Sequence, residues 1–406
     1  MQENGAHQQM KDFAVPLQSY HFVMPRKIIF GWGCRHHLAE ELPRWGTRVF
    51  VVCGSRTLEK QGLLDELQRL VETAGVTWQF LATISREPLV CDVDAVTRQV
   101  QAIGIRRGDL LLAVGGGSAI DLAKAVAAMA TNSQGESVQD YLENVGRGLK
   151  LTQPPLPVVA IPTTAGTGTE ATRNAVISSL DPPFKKSLRD DRVMPIVAVV
   201  DPELTVSQPP SVTASSGMDA ITQLVESFVS NRRKPIPQTL APEGLRLALR
   251  WLATAYREPD HREAREAMAQ AALLSGICLA NAGLGMAHGI AAALGVVAGI
   301  PHGLACAMML PAALRTNRSV VGRELAYLSR YALGKDFPSE DAAVDALIEA
   351  VEQLRADLHL PQKLREIGVS QEMIPKIAAG SFGTSMSGNP RPMSQGEIEG
   401  ILRSLY

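Results

Sequence analysis

The chain has 406 residues, 46% hydrophobic and 20% charged, enough apolar material for more than one core, so two domains are expected. Lys plus Arg number 40 against 41 Asp plus Glu, a balance that gives no broad positive field for nucleic acid or anionic lipid and favours a small-molecule partner. Five cysteines, Cys34, Cys53, Cys91, Cys278 and Cys306, are scattered without a CxxC spacing, which argues against a disulfide framework and fits a reducing cytoplasm.

The opening MQENGAHQQMKDF lacks the basic-then-apolar layout of a secretory signal, and residues 1–20 read as a loose tail. RVFVVCG (48–54) is a short apolar run closed by a turn signal, followed by helical spacing from Leu58 to Ala74. WQFLA, a helix over Val93 to Ile103, the buried run DLLLAVGGGS, then PVVAIPTT and IVAVVDP continue the alternation. Continuously apolar strands separated by helices predict a parallel sheet covered on both faces. From about Ser215 onward Ala, Leu, Glu, Arg and Met recur at helical spacing, with breaks expected at Pro209, Pro235, Pro237, Pro301, Pro311 and Pro361. Asn281 to Ile300 carries no formal charge over about the length of a membrane span. Its Gly and Ala content, with His288 in the middle, reads instead as a closely packed core helix. The plan is an α/β domain over 21–206 and an all-helical domain over 207–406, with the cleft between them as the default active site.

Gly115, Gly116, Gly117 and Ser118 follow a predicted strand and precede a helical run. Glycines there let backbone approach a ligand, and the free N–H groups of a helix start favour phosphate; a plain strand-to-helix turn is the alternative. Ser118 with Asp121 three residues on suggests a capping box. The spacing is not GxGxxG. A second loop, PTTAGTGTEAT (162–172), offers Thr163, Thr164 and Thr167 as hydrogen-bonding groups for a cofactor or substrate. In GMDAITQLVES, Asp219 and Gln223 are four apart and share a helix face. His288 lies in the Gly/Ala-rich helix and His302 follows Pro301, which suits the start of a new helix. Buried histidines are often satisfied core residues, yet a carboxylate with two imidazoles makes a suitable ligand set for zinc or ferrous iron with positions left open.

In order along the chain, GGGSAIDLAKA, PTTAGTGTEAT, DPELT, GMDAITQLVES and MAHGIAAALGVVAGIPHG resemble the iron-containing, or group III, alcohol dehydrogenase family, from about Phe22 to Leu402. The resemblance implies a Rossmann-like dinucleotide-binding α/β domain and an all-α metal-binding domain, the architecture shared with dehydroquinate synthase. It also implies NAD(P)-dependent interconversion of small aldehydes and alcohols by a homodimer or larger homo-oligomer. Gly115 to Ser118, Asp121 and Lys124 match its pyrophosphate loop, Thr163, Thr164 and Thr167 its second cofactor loop, and Lys185 falls near a lysine common in the family. Asp219, His288 and His302 match three of four metal ligands and would carry catalysis. The fourth, normally a histidine, is Gln223 here, a weaker ligand that lowers affinity, changes the metal or holds a water. A three-ligand Asp/His/His site resembles that of the zinc-using glycerol dehydrogenases. Ala292 falls where many members have a further histidine, so water or a ribose hydroxyl is expected to carry the proton.

Gly54 and Ser55 end the RVFVVCGSRT strand where NAD-preferring members tend to have an acidic residue, and Arg56 could attract a 2′-phosphate, so the cofactor reading leans to NADP(H). The metal reading stays open between Fe(II) and Zn(II). Arg173, after the second loop, could read a carboxylate, phosphonate or sulfonate on a short aldehyde, or sit in an ordinary salt bridge. A dehydroquinate-synthase-like lyase and a non-catalytic nucleotide-binding protein are the alternatives.

Overall fold

The computed structural model describes residues 19–406. The expected tail therefore falls almost wholly outside the described residues, as does the side chain of Arg56. The chain divides into two compact units, one of residues 23–209 with 259–269, the other of 210–258 and 270–406 with the stretch ending at Phe22.

The first unit is built on a six-stranded sheet. Its strands are β1 (Lys27–Phe30), β2 (Arg48–Cys53), β3 (Thr77–Thr83), β4 (Asp109–Gly115), β5 (Val158–Pro162) and β8 (Val197–Val200), in the order β1-β8-β5-β4-β2-β3 and parallel throughout. β6 (Asn174–Leu180) and β7 (Pro183–Arg189) form a separate antiparallel pair. Because side chains alternate along a strand, the apolar runs feed two cores at once. Phe50, Val52, Leu111, Ala113, Val158 and Ala160 enter one, and Val49, Val51, Leu110, Leu112, Val159 and Ile161 enter the other.

The helices of this unit are α1 (Leu38–Glu41), α2 (Arg56–Lys60), α3 (Leu63–Thr73), α4 (Val90–Ile103) and α5 (Gly117–Thr131). α5 is buried at every position from Ala119 to Ala130, which accounts for a sequence that is apolar almost all round. The single helix expected over 58–74 is two, α2 and α3, because Gly62 takes a left-handed conformation (φ 76) before α3.

Beyond β8 every regular element among the described residues is helical: α6 (Pro210–Val229), α7 (Pro235–Arg257), α8 (Arg262–Ala282), α9 (Met286–Ala298), α10 (His302–Leu333), α11 (Glu340–Asp357), α12 (Ile374–Gly380) and α13 (Gln395–Ser404), with short 3₁₀ turns. Pro301 precedes α10 with φ −54 and ψ 134 and starts the new helix at His302. The break expected at Pro311 does not occur. Pro311 lies inside α10, whose departure from helical geometry is at Val321, so the buried packing of this helix holds it together across a residue that removes one backbone bond. No single helix among the described residues is long and apolar enough to cross a membrane; the charge-free 281–300 stretch forms α9 and its flanks, with Met286 to Ala291 fully packed.

Candidate metal and cofactor sites

The metal candidates lie in the helical unit. Asp219, from the middle of α6, is 1% exposed, and His288, from the first turn of α9, is 3% exposed. His288 Nε2 stands 3.2 Å from Asp219 Oδ1, and His302 Nε2, at the start of α10, stands 3.9 Å from the same oxygen. Cys306 Sγ, one turn further along α10, is 3.8 Å from His302 Nε2. Donor atoms of these four residues all fall within 4.8 Å of one another. A tetrahedral ion with bonds of about 2.0–2.3 Å has ligand–ligand edges of roughly 3.3–3.8 Å. Separations of 3.2, 3.8 and 3.9 Å are close to that scale, so the chemistry and spacing of the donors fit a single divalent ion.

The expected fourth position behaves differently. Gln223 Nε2 donates to Asp219 Oδ2 at 3.3 Å, and its Oε1 accepts from Ser275 Oγ at 3.1 Å. The amide thus holds the carboxylate of Asp219 by its outer oxygen and leaves Oδ1 facing the two imidazoles.

Two more residues, beyond those read from the sequence, meet these side chains. Cys306 is one. The other is Glu226, seven residues after Asp219 on α6 and 3% exposed. Its carboxylate accepts from the backbone N–H groups of Gly285 (3.0 Å), Ala287 (2.6 Å) and His288 (3.3 Å), an anion set on the N-terminus of α9. It also meets His288 Nδ1 at 2.7 Å. Donation from Nδ1–H to Glu226 fixes the ring and leaves Nε2 directed at Asp219, the arrangement that orients histidine ligands. A Cβ at Gly285 would come within 2.8 Å of Glu226 Oε1, so the carboxylate reaches the helix end only past a glycine. The signals were available: Asp219, Gln223 and Glu226 form one i, i+4, i+7 stripe, and His302 and Cys306 are i, i+4.

The electrostatics follow from burial among charges. Burial alone would raise the Asp219 carboxyl, but the hydrogen bond from His288 and the charges of His302 and His288 pull it down to about 2. Burial works against the imidazolium of His288, and its neighbours Cys306, Asp219 and Glu226 outweigh it and hold the pKa well above the ordinary value. Burial pushes the Cys306 thiol up to about 12.

The cofactor candidates lie in the α/β unit, at the ends of β2 and β4, where strand order reverses between β3 on one side and β5 on the other; such a switch point is where open α/β sheets bind ligands. Gly54 and Gly115 touch there: a Cβ on Gly115 would lie 2.6 Å from Gly54 Cα, and one on Gly54 would lie 2.8 Å from Gly115 Cα. A Cβ on Gly116 would meet Thr164 at 3.1 Å and one on Gly117 would meet Thr167 at 3.0 Å. Thr163 N–H donates to Gly115 O at 3.0 Å, and its carbonyl accepts from Gln208 at 2.9 Å. Both glycine- and threonine-rich loops are therefore one packed assembly.

The capping box expected of Ser118 and Asp121 is not formed. α5 starts at Gly117 with Gly116 as its cap, which has no side chain to offer the N–H groups of the first turn. Asp121 instead accepts from Thr169 Oγ1 (2.7 Å) and Val176 N–H (3.1 Å). Lys124, fully buried, donates to Thr169 O (2.5 Å), Thr172 Oγ1 (2.9 Å) and Asn174 O (3.0 Å), tying α5 to the far end of the second loop. Ser55 precedes α2 without a side-chain cap bond. Lys185, on β7, forms an ion pair with Glu87. Arg173 Nη1 pairs with Asp191 at 2.5 Å, the salt bridge that was the plainer expectation, while its Nε is buried with no hydrogen-bond partner among the described residues.

Family models place the chain. The model for iron-containing alcohol dehydrogenase matches residues 25–202, and the C-terminal model of the Fe-containing alcohol dehydrogenase family matches residues 213–406. The chain belongs to this family and is an oxidoreductase acting on CH–OH groups. It is 33% identical over 403 residues to alcohol dehydrogenase 4 of Schizosaccharomyces pombe, covering 98% of this chain and 91% of that one. Among solved structures, a 1,3-propanediol oxidoreductase superposes with a TM-score of 0.89 at 29% identity, covering 96% of this chain and 100% of the other. The sulfoacetaldehyde reductase of Bifidobacterium kashiwanohense, solved in complex with NAD+, superposes with a TM-score of 0.84 at 29% identity, covering 96% and 99%.

Proposed function

We propose that this member of the iron-containing alcohol dehydrogenase family interconverts a small aldehyde and its alcohol, using NADP(H) in preference to NAD(H) and a divalent ion, Fe(II) or Zn(II), held by Asp219, His288 and His302. Residues 21–206 serve as the dinucleotide domain and 207–406 as the metal domain of a cytoplasmic homo-oligomer. The observation that carries the reading is the convergence of Asp219 Oδ1 with both imidazole Nε2 atoms at 3.2 and 3.9 Å. The relatives named are dehydrogenases and reductases, which favours redox turnover over the lyase and non-catalytic alternatives.

A divalent ion bound here supplies Lewis acidity toward a carbonyl or alcohol oxygen, and a bound nicotinamide gives or takes the hydride. The chain's own groups do the positioning. Glu226 accepts a hydrogen bond from Nδ1–H of His288 and so leaves Nε2 as the nitrogen turned to the donor cluster. Gln223 holds Asp219 Oδ2 and leaves Oδ1 in place. The first N–H groups of α5, capped only by Gly116, would hold the pyrophosphate, with Gly54, Ser55, Ser118, Asp121, Thr163, Thr164, Thr167 and Lys185 as the other residues that would hold the cofactor. Ala292 offers no proton, so water or a ribose hydroxyl would have to carry it.

A second reading of the substrate rests on Arg173. Its buried Nε, without a partner among the described residues, suits a carboxylate, phosphonate or sulfonate. Both readings are tested by oxidation of NADPH and NADH with neutral and anionic short aldehydes, on protein reconstituted separately with Fe(II) and Zn(II). Metal-dependent turnover, faster with NADPH, is expected; no turnover with any combination contradicts the function. If Arg173 reads an anion, Arg173→Ala raises KM for the anionic aldehydes about tenfold or more and leaves that for neutral ones unchanged. An equal effect on both overturns the anionic reading alone.

A further inference from the structure

A four-ligand centre that has exchanged a histidine for glutamine must complete its shell elsewhere or remain with three ligands. Gln223 is a poor replacement here because both ends of its amide are engaged, the nitrogen by Asp219 and the oxygen by Ser275. Cys306 is placed better. It lies one turn after His302 on α10, on the same face, and it is fully buried. Its sulfur is 3.8 Å from His302 Nε2 and belongs with the donors of Asp219, His288 and His302 inside a 4.8 Å cluster. A tetrahedron with one bond of about 2.3 Å to sulfur and one of about 2.0 Å to nitrogen has an edge of roughly 3.5 Å, within a few tenths of an ångström of that separation.

We infer that Cys306 is the fourth protein ligand of this metal centre, taking by its thiolate the place that Gln223 cannot fill, and that Gln223 serves as the group that positions Asp219. The inference rests on the reading of Asp219, His288 and His302 as ligands and adds to it a ligand and a metal preference. On binding, sulfur gives its proton to solvent and its electron pair to the ion, so one proton is released for each thiolate–metal bond formed. A thiolate among imidazole and carboxylate donors is softer than a nitrogen and oxygen set, and it turns the preference of the site from Fe(II) toward Zn(II). The other buried cysteines, Cys34, Cys53 and Cys278, are not part of the donor cluster.

The experiment uses the full chain, stripped with a chelator and titrated with Co(II) as a spectroscopic substitute for Zn(II). The parent protein is expected to show a near-ultraviolet thiolate-to-cobalt charge-transfer band. Cys306→Ser and Cys306→Ala lose that band but keep visible cobalt absorption from the remaining ligands, and Zn(II) affinity falls about tenfold or more while that for Fe(II) falls less. A parent complex without the charge-transfer band, or Cys306 variants that retain it, overturns the assignment. Asp219→Ala separates the two levels: if it binds Co(II) as tightly as the parent, the underlying Asp/His/His reading fails. If it loses Co(II) while the Cys306 variants match the parent in band and Zn(II) affinity, only the role of Cys306 fails.

Discussion

Glu170 shows how far a single side chain departs from its ordinary chemistry in this fold. It sits on the threonine-rich loop of 162–172, 2% exposed, and burial pushes its carboxyl up to about 7, with only partial relief from a backbone hydrogen bond and Lys124. Burial likewise drives Lys124 down to about 8. In the unfolded chain Glu170 ionises near 4.5, so between that pH and about 7 the unfolded state holds fewer protons than the folded one. Stability therefore falls as pH rises through this window and levels off above it, by about 3 kcal/mol at most from this residue. Glu170→Gln should flatten the change, visible as a smaller loss of Tm between pH 5 and pH 7.5 than the parent shows; equal losses would remove Glu170 as the cause. Such a residue is invisible to sequence reading, because nothing in GTGTEAT reveals that the loop is buried. Asp219, His288 and His302 were legible because a carboxylate and two histidines in apolar helices are conspicuous. Glu226 and Cys306 were not, since an acidic residue on a helix and one cysteine among five look ordinary until α6, α9 and α10 bring them to the same imidazoles.

At the scale of elements, the inner parallel strands β2, β4, β5 and β8 could be read because burial on both faces makes them continuous apolar runs. β1 is too short to announce itself. The β6–β7 pair escapes notice because Lys185, Lys186 and Arg189 interrupt its apolar alternation. The Ser118–Asp121 pair misled for a local reason: three-residue spacing suggests a cap, but Asp121 is drawn to Thr169 and Val176 instead. The junction of β4 with α5 depends on backbone contact. In Gly115→Ala the new Cβ would lie within 2.8 Å of Gly54 Cα and Ala119 Cβ, and the backbone partner cannot swing aside. Overpacking of this kind costs about 1–3 kcal/mol. We expect NADPH affinity, followed by fluorescence titration, to drop about tenfold or more with metal content unchanged, whereas parent-like affinity would deny the loop its cofactor role.

Across the whole molecule, the near-equal numbers of acidic and basic residues and the run of five ordered motifs pointed to a small-molecule oxidoreductase of this family, and the family models and α/β-plus-helical fold agree. The glycine- and threonine-rich loops belong to the α/β unit and Asp219, His288 and His302 to the helical one, so the proposed cofactor and metal binding should be separable by substitution. The most direct test is metal content, turnover and NADPH binding measured together on His288→Ala and His302→Ala. Loss of bound metal and of aldehyde reduction in both variants, with NADPH affinity kept, is the predicted result. Full turnover in both variants would contradict the metal-centred account.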